Sequence, residues 1–189
     1  MATLELLERR SVPAKQLDPP GPDDATLRRL LACAVRVPDH GKRVPFRLVR
    51  IAGETRAALG KHLAALTLQD DPDVAESAVE KDRNRFNHAP LVIVVVAAQG
   101  PDEKIPASER FSTASCVCFS LLQAAQAEGF GAQWLTGWPA YDPRVHRLLG
   151  LAEDEVVAGF IHIGTPKLEA PERDRPDPLA LLTDLALPS

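Results

Sequence analysis

Two short stretches of this chain bring together side chains that suit a phosphate group. In the first, Arg9, Arg10 and Ser11 are consecutive. Two guanidinium groups beside a hydroxyl can make paired, charge-assisted hydrogen bonds to a phosphate monoester. The alternative is that the two arginines only complement the negative end of a preceding helix. The three residues alone leave both interpretations open.

The second stretch is RVPDHGKRVPF, residues 36–46. Arg36 and His40 lie on either side of Pro38, so they do not share one continuous helix. The prolines restrict the loop and lower the entropic cost of holding basic groups ready for an anion. A solvated loop, in which His40 caps a backbone group, is the other interpretation.

A third stretch, GFGAQWLTG at residues 129–137, suits a flat ligand rather than an anion. Gly129 and Gly131 follow an apolar helical pattern and allow the backbone to approach a crowded or planar group. Trp134 comes next and carries an indole N–H donor. It either lines a ring pocket or lies in the core, as most single tryptophans do.

The rest of the sequence offers little acid–base or metal chemistry. The histidines have no ligand spacing, and the motifs GxSxG, GxGxxG and GxxxxGK[ST] are absent. Cys116 and Cys118 are two residues apart and do not share a helix face, so with Cys33 they are expected to be reduced, buried core thiols. We therefore expect no metal and no catalytic side chain. Anion-binding features without acid–base machinery favour chemistry carried by a bound cofactor.

Length and charge exclude several classes of protein. The chain has 189 residues and a formal net charge of −4. We expect a single domain over residues 1–189. The acidic balance argues against a nucleic-acid partner. No apolar run approaches the roughly 20 residues that span a bilayer, and the first residues lack the order of a signal peptide. A cytoplasmic protein that binds no membrane is therefore expected.

The elements that would position these residues follow from hydrophobic periodicity. A continuous β-branched run, PLVIVVVAA, predicts a strand covered on both faces. The apolar pattern over 108–131 predicts a long buried helix. Interleaved helices and strands favour an α+β fold in which helices surround a sheet. Further helices are predicted over 3–10, 23–36, 54–68, 73–86 and 143–151. Further strands are predicted over 46–53 and 155–164, and a short strand or a loop over 132–137.

The three stretches, in this order, resemble the nitroreductase family of FMN-dependent oxidoreductases, and most closely its small NAD(P)H nitroreductase subgroup. The resemblance spans Leu4 to Pro178. It implies an α+β fold with a central mixed or antiparallel sheet surrounded by helices. It also implies a homodimer whose two FMN sites lie at the subunit interface. The matching segments are LELLERRS, RVPDHGKRVPF, GFGAQWLTG and VVAGFIHIGTP.

The resemblance assigns roles to particular residues. The phosphate and ribityl chain of FMN would be bound by Arg9, Arg10 and Ser11, with added contacts from Arg36 and His40, and the flavin would lie against Trp134, Leu135 and Thr136. A nicotinamide-nucleotide segment would comprise Ala124, Ala125, Gln126, Ala127, Glu128 and Gly129. By its apolar pattern alone, that segment is the end of a buried helix.

Three departures from the family pattern affect the site more than the fold. Val44 stands where the subgroup often has glutamine, which removes an amide near the flavin or the substrate. Ala14 stands where many members have an arginine that would help to stabilise an anionic reduced flavin. The basic residue that some relatives carry near the C-terminus could be Lys167, Arg173 or Arg175, or could be missing from this chain.

The function implied by the resemblance is hydride transfer from NAD(P)H, through FMN, to a small electron-poor acceptor such as a nitroaromatic compound or a quinone. Two alternatives stay open at this point. The chain could bind FMN as a carrier or sensor without turning over a nicotinamide, or it could be a helix-rich scaffold dimer with no cofactor.

Overall fold

A computed structural model describes residues 8–187 of the chain. Its strands are β1 (Leu17–Asp18), β2 (Phe46–Ala52), β3 (Leu91–Ala98), β4 (Gly131–Leu135) and β5 (Glu155–Pro166). Its α-helices are α1 (Asp24–Ala34), α2 (Glu54–Asp70), α3 (Glu76–Arg83), α4 (Ala107–Ala127) and α5 (Pro143–Leu148).

All strand pairs in the described residues are antiparallel. The sheet order is β1-β5-β3-β2, and β4 also pairs with β5. Both β1 and β4 therefore lie on the edge of β5 that faces away from β3, with Leu17 opposite Pro166 and Gly131 opposite Gly164. This arrangement leaves β4 with one outer edge that can receive another segment.

Strand β3 lies at the centre because its side chains are apolar on both faces. Val92 and Val94 pack into a core with α2, α5 and Phe86. Ile93 and Val95, which point the opposite way, pack into a second core with α1 and α4. Alternate residues of a strand face opposite sides of its sheet, so an uninterrupted apolar run needs helices on both sides.

Helix α4 is the longest element and carries one buried and one exposed side. Its buried side, which includes Val117 and Leu121, packs against β3, β4 and β5. Its other side exposes Phe111, Cys116 and Phe119, although two of these are large aromatic residues. A helix with apolar residues all round is normally covered on all sides.

The α+β fold predicted from the sequence is confirmed, and the sheet is the antiparallel form of the two that the resemblance allowed. The predicted strands and the long helix are present with shifts of a few residues at their ends. The first predicted helix, over 3–10, lies mainly outside the described residues. The expectation of three buried thiols is wrong: Cys118 is buried, but Cys33 and Cys116 are exposed on α1 and α4.

Within residues 8–187, no helix is both long and apolar enough to cross a bilayer.

Candidate functional site

The segment that follows Arg9 runs along the outer edge of β4. The Val12 backbone N–H donates to the Ala132 carbonyl over 3.0 Å, and the Ala14 N–H donates to Gln133 Oε1 over 2.6 Å. Two residues before Val12, the Arg10 N–H donates to Gln126 Oε1 over 3.2 Å. These bonds place Arg9, Arg10 and Ser11 beside β4 and the C-terminal end of α4.

Four arginines from the two ends of the chain come together there. Burial and the nearby guanidinium groups of Arg175, Arg173 and Arg10 lower the pKa of Arg9 from its ordinary value. Of the three C-terminal candidates, the structure therefore brings Arg173 and Arg175 close to Arg9, while Lys167 forms an ion pair with Asp18 at 2.9 Å. We call Arg9, Arg10, Arg173 and Arg175 the arginine cluster.

One carboxylate lies within the arginine cluster. Glu172 Oε2 is 2.5 Å from Arg10 Nη2, and Glu172 Oε1 accepts from Arg175 Nη2 over 3.0 Å. Ser11 also belongs to this group, since its Oγ accepts from Arg9 Nη1 over 3.1 Å. Guanidinium groups that lie close to one another favour a negatively charged ligand, and an anion from within the chain already engages two of them.

Trp134 is oriented by β5. Its indole Nε1–H donates to the Ala158 carbonyl over 3.1 Å, and the ring lies directly over Gly159. With Leu135 and Thr136 it lines an open cleft of about 630 Å³. The cleft is largely apolar, and its remaining walls are Phe111, Ala140, Tyr141, His146, Val156, Val157 and Ala158. The structure thus brings all three predicted ring-contacting residues to one surface.

We expect Gly159→Ala to displace the indole, because an added Cβ would overlap Trp134 Nε1. Forcing extra volume into a packed site typically costs about 1–3 kcal/mol of unfolding free energy. In a Trp134→Leu background the same substitution should cost much less, because the obstructing ring is gone. Urea unfolding of the two single variants and the double variant measures this. Equal costs in both backgrounds would contradict the packing shown here.

A second pocket, which sequence reasoning missed, lies on the other side of Leu135. It has a volume of about 250 Å³, and four of its eight lining residues have basic side chains. Asp82 orients one of its bases: Arg85 Nη2 donates to the buried Asp82 Oδ1 over 2.6 Å. The walls of this basic pocket are Pro13, Ala14, Lys15, Lys81, Arg85, His88, Gln133 and Leu135. Lys15 stands next to the Ala14 departure, so a positive charge is retained close to that position.

The loop at 36–46 differs from both interpretations offered by the sequence. Its main chain does hold an anion, but an internal one: Asp39 accepts from the backbone N–H groups of Arg43 and Val44 over 3.1 and 2.8 Å. His40 Nδ1 lies 2.6 Å from Glu109 Oε2 at the start of α4, rather than capping a backbone group. Arg36 is exposed.

The same loop holds a strained backbone. Val44 has φ 48° and Lys42 has φ 52°, although neither is glycine. A positive φ is unfavourable for a β-branched residue and persists only where the surroundings hold it, which is common at ligand sites. Here the Asp39 carboxylate and Pro45 hold the turn and leave the Val44 side chain 63 % exposed.

Within one chain the two predicted anion-binding groups lie far apart. His40 contacts Glu109 near the start of α4, whereas Arg10 contacts Gln126 near its end. The 17 residues from 109 to 126 correspond to roughly 25 Å of helix at about 1.5 Å per residue. One phosphate therefore cannot contact both groups of a single protomer.

The predicted nicotinamide segment ends α4. Ala124 and Ala125 are buried, and Gln126 is engaged by the Arg10 backbone. Glu128 accepts two hydrogen bonds from Arg29, at 2.7 and 2.8 Å. The polar side chains of the segment thus have structural partners, and its assignment to a nicotinamide nucleotide stays a prediction.

His162 lies in the core next to the basic pocket, opposite Gln133 of β4. It is 1 % exposed, and its ring stacks on Phe86 with an interplanar angle of 3°. Among residues 8–187 its Nδ1 has no hydrogen-bond partner. Burial, with help from the nearby charges of His88 and Arg85, lowers the pKa of His162 to about 4. The ring is therefore neutral near pH 7.

Comparison with known proteins agrees with this fold. Residues 6–165 match the model of the nitroreductase family. The Escherichia coli (strain K12) protein named "Putative NAD(P)H nitroreductase YdjA" is 35 % identical over 185 residues, which cover 97 % of this chain and 99 % of that protein.

Solved structures share the fold. The nitroreductase-like family protein from Bacillus cereus superposes with a TM-score of 0.79 at 24 % identity, over 96 % of this chain and 93 % of that one. A mutant form of NfnB from sphigopyxis sp. strain HMH, described as an FMN and NADPH-dependent nitroreductase, superposes with a TM-score of 0.71 at 17 % identity, over 95 % and 96 % of the two chains. The chain belongs to the nitroreductase family.

Proposed function

We propose that this chain is an NAD(P)H-dependent FMN oxidoreductase that passes reducing equivalents to a small electron-poor acceptor, of the nitroaromatic or quinone type. The observation that carries the proposal is the convergence on β4 of three features, each suited to one part of FMN. They are the arginine cluster, the basic pocket and the apolar cleft beside Trp134. The names of YdjA and NfnB point to the same chemistry in relatives.

The donor set fits the phosphate of FMN. Arginine presents a planar fork that matches phosphate oxygens, and the arginine cluster supplies four such groups beside the hydroxyl of Ser11. The lysine and arginine side chains of the basic pocket suit the electron-rich end of the flavin ring system. Lys15, Lys81 and Arg85 would there stabilise negative charge that develops on reduction.

Bound FMN would supply the redox chemistry, accepting a hydride from NAD(P)H and then passing electrons to the acceptor. The protein's own residues would bind FMN, orient it and shield it. The arginine cluster holds the phosphate end, and the Asp82 carboxylate keeps the Arg85 guanidinium directed to the basic pocket. Leu135, which lines both the basic pocket and the cleft, separates the charged wall from the apolar wall where a planar substrate would stack.

The proposed active form is a homodimer with each site shared between two chains. The exposed apolar side of α4, with Phe111 and Phe119, is a surface that a second copy would cover. Two-fold symmetry allows α4 to pack against its partner in the opposite direction. The start of one α4 then lies near the end of the other, which would bring His40 and Arg36 of one protomer to the arginine cluster of the next.

Subunit mixing tests the shared site. We expect homodimers of Arg10→Ala, and of the double variant Arg36→Ala/His40→Ala, each to bind little FMN. In a mixed dimer, one site carries every substitution and the other carries none. Tagged heterodimers isolated after unfolding and refolding should therefore regain close to one FMN per dimer. Heterodimers that stay as colourless as their parents would contradict shared sites.

The competing function is an FMN-binding carrier or sensor that does not turn over a nicotinamide. The departures at Val44 and Ala14 are the observations that favour it. Anaerobic stopped-flow mixing with NADH and with NADPH separates the two functions. Rapid bleaching of the flavin absorption is expected for the enzyme, whereas a flavin that stays oxidised with both nucleotides would support the carrier. The cytoplasmic location inferred from the sequence stays a prediction.

A further inference from the structure

We propose that Glu172 is a built-in competitor for the ligand phosphate at the arginine cluster. Its carboxylate engages guanidinium groups that a phosphate ester would use, so it lowers the affinity of the protein for FMN and must move aside when FMN binds. The inference rests on the proposed function, since it takes FMN to be the phosphate-bearing ligand.

The contacts of Glu172 are those of a bound anion. Its Oε2 is 2.5 Å from Arg10 Nη2. Its Oε1 accepts from Nη2 and Nε of Arg175, over 3.0 and 3.2 Å, and from the backbone N–H of Arg173 over 2.9 Å. Both oxygens are therefore occupied by donors from the two ends of the chain. A phosphate offers the same planar, bidentate match to these forks, with one more oxygen and more charge.

The segment that carries Glu172 is held by core packing only on its N-terminal side, at Ala170. Ala170 is 8 % exposed and packs with Val12 and Leu17, which fixes the backbone beside the phosphate-type residues. Residues 171–177 have no regular secondary structure and are exposed, and 47 % of the Glu172 side chain is exposed. The carboxylate can therefore leave the arginines by rotating its own side chain, without disturbing the core.

Because of the charge balance, Glu172 weakens the binding of FMN but does not prevent it. The guanidinium groups of Arg10 and Arg175 contact Glu172, and those of Arg9 and Arg173 lie nearby, so the four arginines outnumber the one carboxylate that engages them. A phosphate dianion gains more from these forks than one carboxylate does, and it can displace Glu172 at a cost in affinity. An alternative role for Glu172, holding Arg10 and Arg175 in position for the ligand, predicts the opposite sign when the charge is removed.

The test measures ligand affinity and not turnover. Full-length protein freed of flavin is titrated with FMN and with riboflavin, and binding is followed by flavin fluorescence. Glu172→Gln should tighten FMN binding by roughly two- to fivefold, in line with the modest strength of exposed ion pairs, and leave riboflavin binding unchanged. Asp174→Asn is the matched control, because it removes the same charge two residues away, and it should change neither affinity.

Each other outcome is decisive. Equal or weaker FMN binding by Glu172→Gln overturns the competitor role. A similar gain for riboflavin, or for Asp174→Asn, overturns it too, because the effect would then not arise at the phosphate. In these cases FMN still binds and the proposed function stands. If neither the wild-type protein nor the variants bind FMN, the proposed function fails, and this inference fails with it.

Discussion

Arg10→Ala should purify with little or no FMN. The Arg10 side chain is 28 % exposed and presents its guanidinium to the position that Glu172 now occupies. Truncating one partner of a partly desolvated, charge-assisted pair typically costs about 2–5 kcal/mol. This corresponds to a loss of FMN affinity of about 30-fold to several thousand-fold. The measurement is FMN per chain, from absorption spectra of variants purified in parallel.

Two comparisons make the Arg10 result specific. Ser11→Ala should cost only about 0.5–1.5 kcal/mol of FMN binding, as expected for a neutral hydrogen bond. Arg50→Ala removes an equally charged but 53 % exposed arginine, whose only ion pair in the described residues is a 3.4 Å contact with Asp24, and it should leave the flavin content unchanged. If Arg10→Ala loses thermal stability but stays fully yellow, Arg10 only complements a helix end, and the phosphate assignment is wrong.

Mild acid should destabilise the protein through His162. The pKa of this buried ring is about 4 in the folded chain, against about 6.5 when it is exposed. Above pH 6.5 both states are neutral, and His162 makes no pH-dependent contribution. As the pH falls below 6.5, His162 becomes protonated in the unfolded chain but stays neutral in the folded chain. The free energy of unfolding should therefore fall by about 3 kcal/mol between pH 6.5 and pH 4.

Denaturant titrations at closely spaced pH values between 4 and 7 measure this loss. His162→Leu should reduce the pH dependence in that interval, since the titrating group is gone and leucine can still pack against Phe86. A smaller dependence remains from His88, because burial also lowers its pKa. The pKa values of Asp102 and Asp142 are each lowered to about 2, mainly by hydrogen bonds. Because the unfolded-state pKa of an aspartate is about 4, these carboxylates add to the loss of stability only at the acid end of the interval. An unchanged slope in the His162→Leu protein would contradict the assignment.

Much of the fold could be predicted because local patterns carry it. The run from Leu91 to Ala98 has no polar position, and only a strand covered on both faces tolerates that. The same kind of argument, from the apolar helical pattern over 108–131, predicted α4. The assignment of Arg9, Arg10 and Ser11 to a phosphate also came from local chemistry, since it depends on three consecutive side chains, and it stays a prediction.

Other features depended on how distant segments pack. Arg173 and Arg175 are more than 160 positions from Arg9 in the sequence, and no local period places them beside it. The basic pocket likewise combines residues from the N-terminal segment, α3 and β4. The burial of the cysteines was misjudged for the same reason. An apolar helical pattern does not reveal which side of α1 or α4 faces the sheet, and Cys33 and Cys116 face away from it.

The sequence by itself determined the chemistry that is available, the order of the elements and the family resemblance, since these depend on residue types and short spacings. Only the tertiary structure decided which of these groups can act together. Pairing of β4 with β5 brings the segment after Arg9 to the edge that holds Trp134. About 25 Å of α4 separates Glu109, which His40 contacts, from Gln126, which Arg10 contacts. Such distances are set by strand order and helix length, which long-range packing determines and local periodicity does not record.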